Sequence, residues 1–209
     1  MDAPGEQAQS SQTLSRAAGE RLWKVLFAPP PEDEEKVVFA LLDGATVRQL
    51  PDFLEDEESE HAPLVPLKTN EPEEVTRAAY LTRVERGSRV AEWLATEGWG
   101  RHWGIFICAP PTMDLDDVLR HLRELSQVRL PDGRIVYFRF YDPRVWRVFA
   151  STCDSEQAQQ LFHLPLRYAC ESADGRELLI DRLIKDKLER QSVLLEEPED
   201  GAGASQTSL

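Results

Sequence analysis

The sequence is poor in basic residues, in cysteine and histidine, and in long apolar runs, and each shortage removes a class of protein. Lys+Arg number 24 against 38 Asp+Glu, so the formal charge is −14. A duplex-binding domain draws most of its affinity from Lys and Arg that neutralise phosphates. The sign here is the wrong one, and nucleic acid is not an expected partner. No apolar stretch approaches the roughly 18 to 20 residues that span a bilayer. The opening MDAPGEQAQSSQ has no basic segment leading into an apolar one. The expectation is a soluble, cytoplasmic chain with no membrane partner. Cys108, Cys153 and Cys170 are odd in number, far apart and outside any CxxC. Such usage suits buried thiols in a reducing compartment better than a disulfide framework. The histidines, His61, His102, His121 and His163, place no two ligands on one helix face, so no metal centre is expected. GxSxG, GxxxxGK[ST] and GxGxxG are also missing. The nucleophile elbow, the phosphate loop and the dinucleotide turn go with them, and no cofactor is implied.

What is present is a chain of 209 residues with 41% hydrophobic content, enough for a real core. Residues 1–12 and 196–209 are polar and read as disordered ends. Between them the layout is an α/β domain over 13–162, followed by a C-terminal lobe over 163–195. From Thr13 to Phe27 apolar residues recur at helical spacing and stop at Pro29-Pro30-Pro31. The acidic runs Glu32 to Glu35 and Glu55 to Glu60 read as solvated loops. VVFALL, Val37 to Leu42, reads as a strand buried on both faces and closed by Asp43-Gly44. Pro63 to Leu67 reads as a sheet edge because of its prolines. Pro72 to Arg86 reads as a helix, with acids in its first turn, Arg83 and Arg86 in its last and Gly87 beyond. Ser88 caps a further helix burying Val90, Ala91, Trp93 and Leu94.

WGIFIC, Trp103 to Cys108, reads as a central strand, and an amphipathic helix follows from Asp114. Pro131-Asp132-Gly133 marks a tight hairpin into a strand from Arg134 to Tyr141, whose Val136, Phe138 and Phe140 are expected to face the core. Asp142 caps the next helix and Pro143 opens it. Leu164 to Cys170 reads as a strand, and Arg176 to Gln191 as a final helix in preference to a hairpin arm across Asp174-Gly175. Alternating helices and buried strands give an α/β fold: a mixed β-sheet with flanking helices and a C-terminal helical or α+β lobe.

Few residues suggest chemistry. Cys108 with His102 could form a nucleophile and base, since a thiolate needs an imidazole nearby, but an inert, strand-buried cysteine is the preferred reading of Cys108. Asp142 could serve as a general acid beside Arg139 and Tyr141, but helix capping explains it without chemistry. Trp93, Trp103 and Trp146 fall on core stripes, leaving Trp23 and Trp99 as candidate exposed anchors.

Taken in order, several segments are those of a known family. They are Phe39-Ala40-Leu41-Leu42-Asp43-Gly44-Ala45; Ala62-Pro63-Leu64-Val65-Pro66-Leu67; Trp93-Leu94; Gly98-Trp99-Gly100; Trp103-Gly104-Ile105-Phe106; Leu119 through Leu125; Pro131-Asp132-Gly133; and Phe138-Arg139-Phe140-Tyr141-Asp142-Pro143-Arg144-Val145. From about Val37 to Leu161 the chain resembles the effector adaptors, or chaperones, encoded beside the spike genes of bacterial type VI secretion systems. Leu64 stands where that family usually has an aromatic, and 72–86 looks like a helical insertion. The resemblance implies a non-enzymatic protein that binds a cognate effector toxin in the producing cell and helps load it onto the VgrG spike. Under that reading Arg139, Tyr141, Arg144 and Trp99 are candidate protein-binding residues, while Asp142 and Pro143 are structural. The preferred reading of this motif is structural, with Arg139 paired to Asp142 or a neighbouring acid and the aromatic face covered by a helix. A homo-oligomeric scaffold and a hydrolase using Cys108 and His102 are the alternatives.

Overall fold

Residues 37–42 are apolar in both parities, so a strand here must be covered on both faces, and it is. β1 (Val37–Asp43) turns Val38, Ala40 and Leu42 to one apolar cluster and Phe39 and Leu41 to another. The computed structural model describes residues 13–32, 34–69, 71–129 and 132–196. Of the expected disordered ends, 1–12 and 197–209 lie outside the described residues, as do Asp33, Asn70, Leu130 and Pro131, while Glu196, counted with the tail, is placed and accepts from the Ser15 N–H at 2.8 Å.

The first cluster is closed by α1 (Arg16–Phe27), α2 (Leu50–Asp56) and α4 (Arg89–Trp93), which continues as a π-helical turn over Leu94–Gly98. The second is closed by α5 (Leu115–Leu125), α6 (Pro143–Thr152) and α7 (Ser155–Leu161). Five of these six helix starts carry a capping side chain. Ser15, Ser88, Asp114, Asp142 and Asp154 accept from backbone N–H groups of the first turn, satisfying donors that the helix itself cannot.

Between the layers runs a seven-stranded sheet in the order β2-β3-β1-β4-β7-β8-β9, with β2 (His61–Pro63), β3 (Ala79–Val84), β4 (Gly104–Ala109), β7 (Arg167–Glu171), β8 (Glu177–Ile184) and β9 (Lys187–Leu194). The α/β class with flanking helices is what is found. Every pairing in the sheet is antiparallel, so parallel pairs of the kind a mixed sheet contains are not among the described ones. Two glycines are required by close approach: a Cβ on Gly104 would lie 2.0 Å from the Leu41 carbonyl, and one on Gly44 2.3 Å from that of Ala78.

The structure corrects several expectations. The helix expected over 72–86 ends at Arg77 as α3 (Pro72–Arg77), and Ala79 onward becomes β3, hydrogen-bonded to β1. Arg83 and Arg86 imitate a helix C-terminus, but Tyr80, Thr82 and Val84 favour a pleated surface, and the open edge of β1 supplies one. The final helix is likewise a hairpin. Leu178 and Ile180 meet the first cluster and Leu179 and Leu183 the second, an alternation of period two hidden within helix-compatible spacing. Its turn residues, Lys185 and Asp186, both have positive φ, a conformation their identities do not announce. Since β7 pairs with β4, residues 163–195 continue the main sheet. The strand expected from Arg134 to Tyr141 is short. β5 (Gln127–Arg129) and β6 (Ile135–Tyr137) form a separate two-stranded ribbon, and Val136 is exposed where core was expected. Phe140 is fully buried and Phe138 partly. The acidic run at 55–60 is also part helix, because α2 extends to Asp56.

Candidate protein-binding groove

After β6 the chain turns sharply: the Asp142 N–H donates to the Arg139 carbonyl at 3.1 Å and α6 begins. This turn places the Phe138-to-Arg144 segment against the end of β1. Asp43 is buried there. Its carboxylate accepts from the Ala45 N–H at 3.0 Å, the Thr46 hydroxyl at 3.1 Å and the Arg139 guanidinium. Arg139 thus pairs with Asp43, the neighbouring acid, while half of its side chain stays in water. Its guanidinium also lies 5.9 Å from the Tyr141 ring centroid, within cation–π range. Burial and the Asp43 charge raise the Tyr141 phenol above its ordinary value, so it stays a neutral donor.

Asp142 is a cap twice over. It accepts from the Arg144 backbone at 2.9 Å and holds the Arg144 guanidinium in two bonds of 3.0 and 2.6 Å. Burial alone would raise its carboxyl, but these bonds hold it below the usual range. A general acid needs the opposite shift, so the capping role accounts for Asp142.

Trp99 is not an exposed anchor. It is 3% exposed, and its indole N–H donates to the Gly175 carbonyl at 2.5 Å, tying the Gly98-Trp99-Gly100 loop to the β7–β8 turn. Glu171 completes the tie, accepting from the Gly100 and His102 N–H groups and meeting His102 Nδ1 at 2.5 Å. Trp23, the other candidate, is partly buried with its ring edge-on to Phe106 at 5.6 Å. The Cys108 and His102 pairing is not assembled. The imidazole is committed to Glu171, and Cys108 is buried with its thiol pushed up to about 12, away from the reactive thiolate.

Beside the Arg139 turn lies a groove of about 670 Å³. One wall is the segment from Leu64 to Thr69 leading into α3, with Leu64, Val65, Pro66 and Leu67. The other is β6 and the turn after it, with Tyr137, Phe138 and Tyr141. Arg123 of α5 fixes the first wall, donating to the carbonyls of Leu64 at 2.8 Å and Pro63 at 3.2 Å. Glu74 closes the rim by accepting from the Lys68 and Thr69 N–H groups and the Thr69 hydroxyl. Tyr137 is 57% exposed and stands at the mouth. Of the predicted contact residues, Tyr141 lines this groove and Arg139 lies next to it in the turn, whereas Arg144 faces solvent on α6. Sequence reading missed Tyr137 and Leu67. The signal for Tyr137 was there as an aromatic at the solvent parity of its strand.

A groove of this size, walled largely by aromatic and aliphatic side chains, has the shape and lining of a candidate binding site. Among the described residues no cluster of His, Cys, Asp or Glu could hold a metal ion, and no helix is long and apolar enough to cross a membrane. The chain belongs to the family described as a domain of unknown function (DUF4123), whose model matches residues 38–160. That span runs from β1 through nearly all of α7 and contains the groove and the Arg139 turn, while β7, β8 and β9 lie beyond it. No curated protein and no solved structure matches the chain.

Proposed function

We propose that this protein is a cytoplasmic, non-enzymatic adaptor that binds a cognate type VI secretion effector toxin and helps deliver it to the VgrG spike. One observation carries the reading. Two of the segments that resemble such adaptors, Ala62 to Leu67 and Phe138 to Val145, are distant in sequence yet supply the opposing walls of one open apolar groove. Their most buried residues, Leu64 and Phe140, join the second core cluster, and Leu67, Phe138 and Tyr141 beside them line a space that a partner's apolar side chains can fill, with Asp43 and Arg139 holding one wall in place. The acidic charge of −14 adds long-range steering toward a basic partner surface, which raises on-rates more than affinity.

The test is co-purification of tagged protein with the product of the adjacent toxin gene, with and without the spike protein, followed by sizing. A stable complex that keeps the toxin soluble is expected, and Leu67→Asp or Tyr137→Asp should weaken it at least tenfold without unfolding the chain. Absence of any complex with toxin or spike, at low and moderate salt, overturns the adaptor reading. A complex indifferent to both variants removes the groove from it.

A further inference from the structure

Among the described residues β9 is the outermost strand of the main sheet and pairs only with β8. The phase of its hydrogen bonding is fixed at both ends. A two-residue turn makes Ile184 and Lys187 a hydrogen-bonded pair. At the far end the Leu195 N–H donates to the Arg176 carbonyl at 3.0 Å, in the same phase. Lys187, Glu189, Gln191 and Val193 therefore direct their backbone groups toward β8. Leu188, Arg190, Ser192 and Leu194 direct theirs outward, and among the described residues no hydrogen-bond partner meets them.

An open edge is a template for another strand, and proteins usually blunt it. The opposite edge is blunted: β2 is three residues long, ends in Pro63, and has Arg123 on the carbonyls that follow. β9 has eight residues and no proline. Its Arg190 is turned inward in two bonds of 2.7 and 2.9 Å to the fully buried Asp181.

We propose that β9 pairs with β9 of a second copy of this chain, antiparallel, about a two-fold axis at Gln191. In this register Leu188 faces the second copy's Leu194, Arg190 faces Ser192, Glu189 faces Val193 and Gln191 faces itself. All four outward residues fall in hydrogen-bonded pairs, four pairs of two bonds each, eight in all, close to the roughly ten of an ordinary interface. Leu194, exposed on the free chain, gains an apolar neighbour. Moving the axis to Arg190 sets arginine against arginine, moving it to Glu189 sets carboxylate against carboxylate, and moving it to Ser192 leaves three hydrogen-bonded pairs within the strand in place of four, so the Gln191 register is favoured. Charge does not oppose it: Lys187 and Glu189 cancel and Arg190 is paired with Asp181, so the β9 edge carries little of the chain's −14. The dimer does not rest on the adaptor reading, since β9 lies outside the family match.

Sedimentation velocity on the full chain, from low micromolar to several hundred micromolar, reads the mass directly. Twice the 23.8 kDa of one chain is expected at the upper end. Leu194→Lys should shift the monomer–dimer midpoint upward at least tenfold. As an independent readout, Gln191→Cys in a Cys153→Ser background should cross-link to a covalent dimer under mild oxidation, because opposed residues on the axis bring their Cβ atoms to about 4.5–5.5 Å. A monomer at every concentration overturns the proposal. So does a dimer that ignores Leu194→Lys and in which the Gln191→Cys variant stays uncross-linked, which would mean another surface pairs and that the β9 edge is open for a strand of a different protein.

Discussion

Replacing Arg139 by Ala separates a residue that holds the fold from one that only touches a partner. The change leaves Asp43, with 3% of its side chain exposed, on two remaining donors, the Ala45 N–H and the Thr46 hydroxyl. Breaking a fully buried ion pair costs about 3–5 kcal/mol. Half of the Arg139 side chain is in water, and solvent screening reduces what such a pair contributes. A single charge-assisted bond under those conditions is worth about 1–2 kcal/mol. At this chain length that lowers the melting temperature by about 3–6 °C. The assay is urea unfolding of wild type, Arg139→Ala, Asp43→Ala and the double variant. Asp43→Ala should cost more than Arg139→Ala because three accepted bonds go, and the cycle should return a coupling of about 1–2 kcal/mol that shrinks in high salt. A coupling under about 0.3 kcal/mol would falsify the structural role. Arg139 would then be a contact residue if Arg139→Ala also abolished complex formation at unchanged stability.

The fully buried Asp181 accepts from the Trp146 indole N–H and from Arg190, so Asp181→Ala should destabilise by about 3 kcal/mol in urea unfolding, and Asp181→Asn by less than half of that. His121 donates from Nε2 to the Leu161 carbonyl with Nδ1 unpartnered, and burial lowers it from the ordinary 6.5 to about 4. The unfolded chain therefore takes the proton first: the stability it contributes is complete above about pH 6.5, falls with acidification, and by pH 4 the loss is on the order of 3 kcal/mol. The urea midpoints of wild type and His121→Gln should converge between pH 7 and pH 4.5, and a constant gap would refute this. Cys108 and Cys170, pushed up to about 12, and Cys153, pushed up to about 11, should react slowly with a thiol reagent at pH 8 until urea is added. Rapid labelling of Cys108 in the folded protein would reopen the nucleophile reading.

Much of the fold was legible because its signals are local. Ser15, Ser88, Asp114 and Asp142 cap helices through bonds to residues two or three positions away, so the sequence carries both partners. VVFALL and GIFICA are too apolar to lie anywhere but inside, and both are central strands. β3 and the β8–β9 hairpin were not legible, because their apolar residues satisfy helical and strand periods together, and only the open edges of β1 and β7 choose between them. Trp99 misled for a related reason. A tryptophan between glycines signals an anchor or a core residue equally until the Gly175 carbonyl, brought by a distant turn, takes its N–H.

By itself the sequence determined the class, the caps, the central strands, the exclusions of charge and motif, and the family segments, all of them properties of composition or of short spacings. Tertiary structure alone decided that Arg139 answers Asp43, that Leu64 to Leu67 and Tyr137 to Tyr141 face each other across a groove, and that β9 ends the sheet with its backbone open. The physical reason is the same in each case. Which distant groups meet is set by the competition among strands for a place in one sheet, and that competition has no signature at the spacing of a single element.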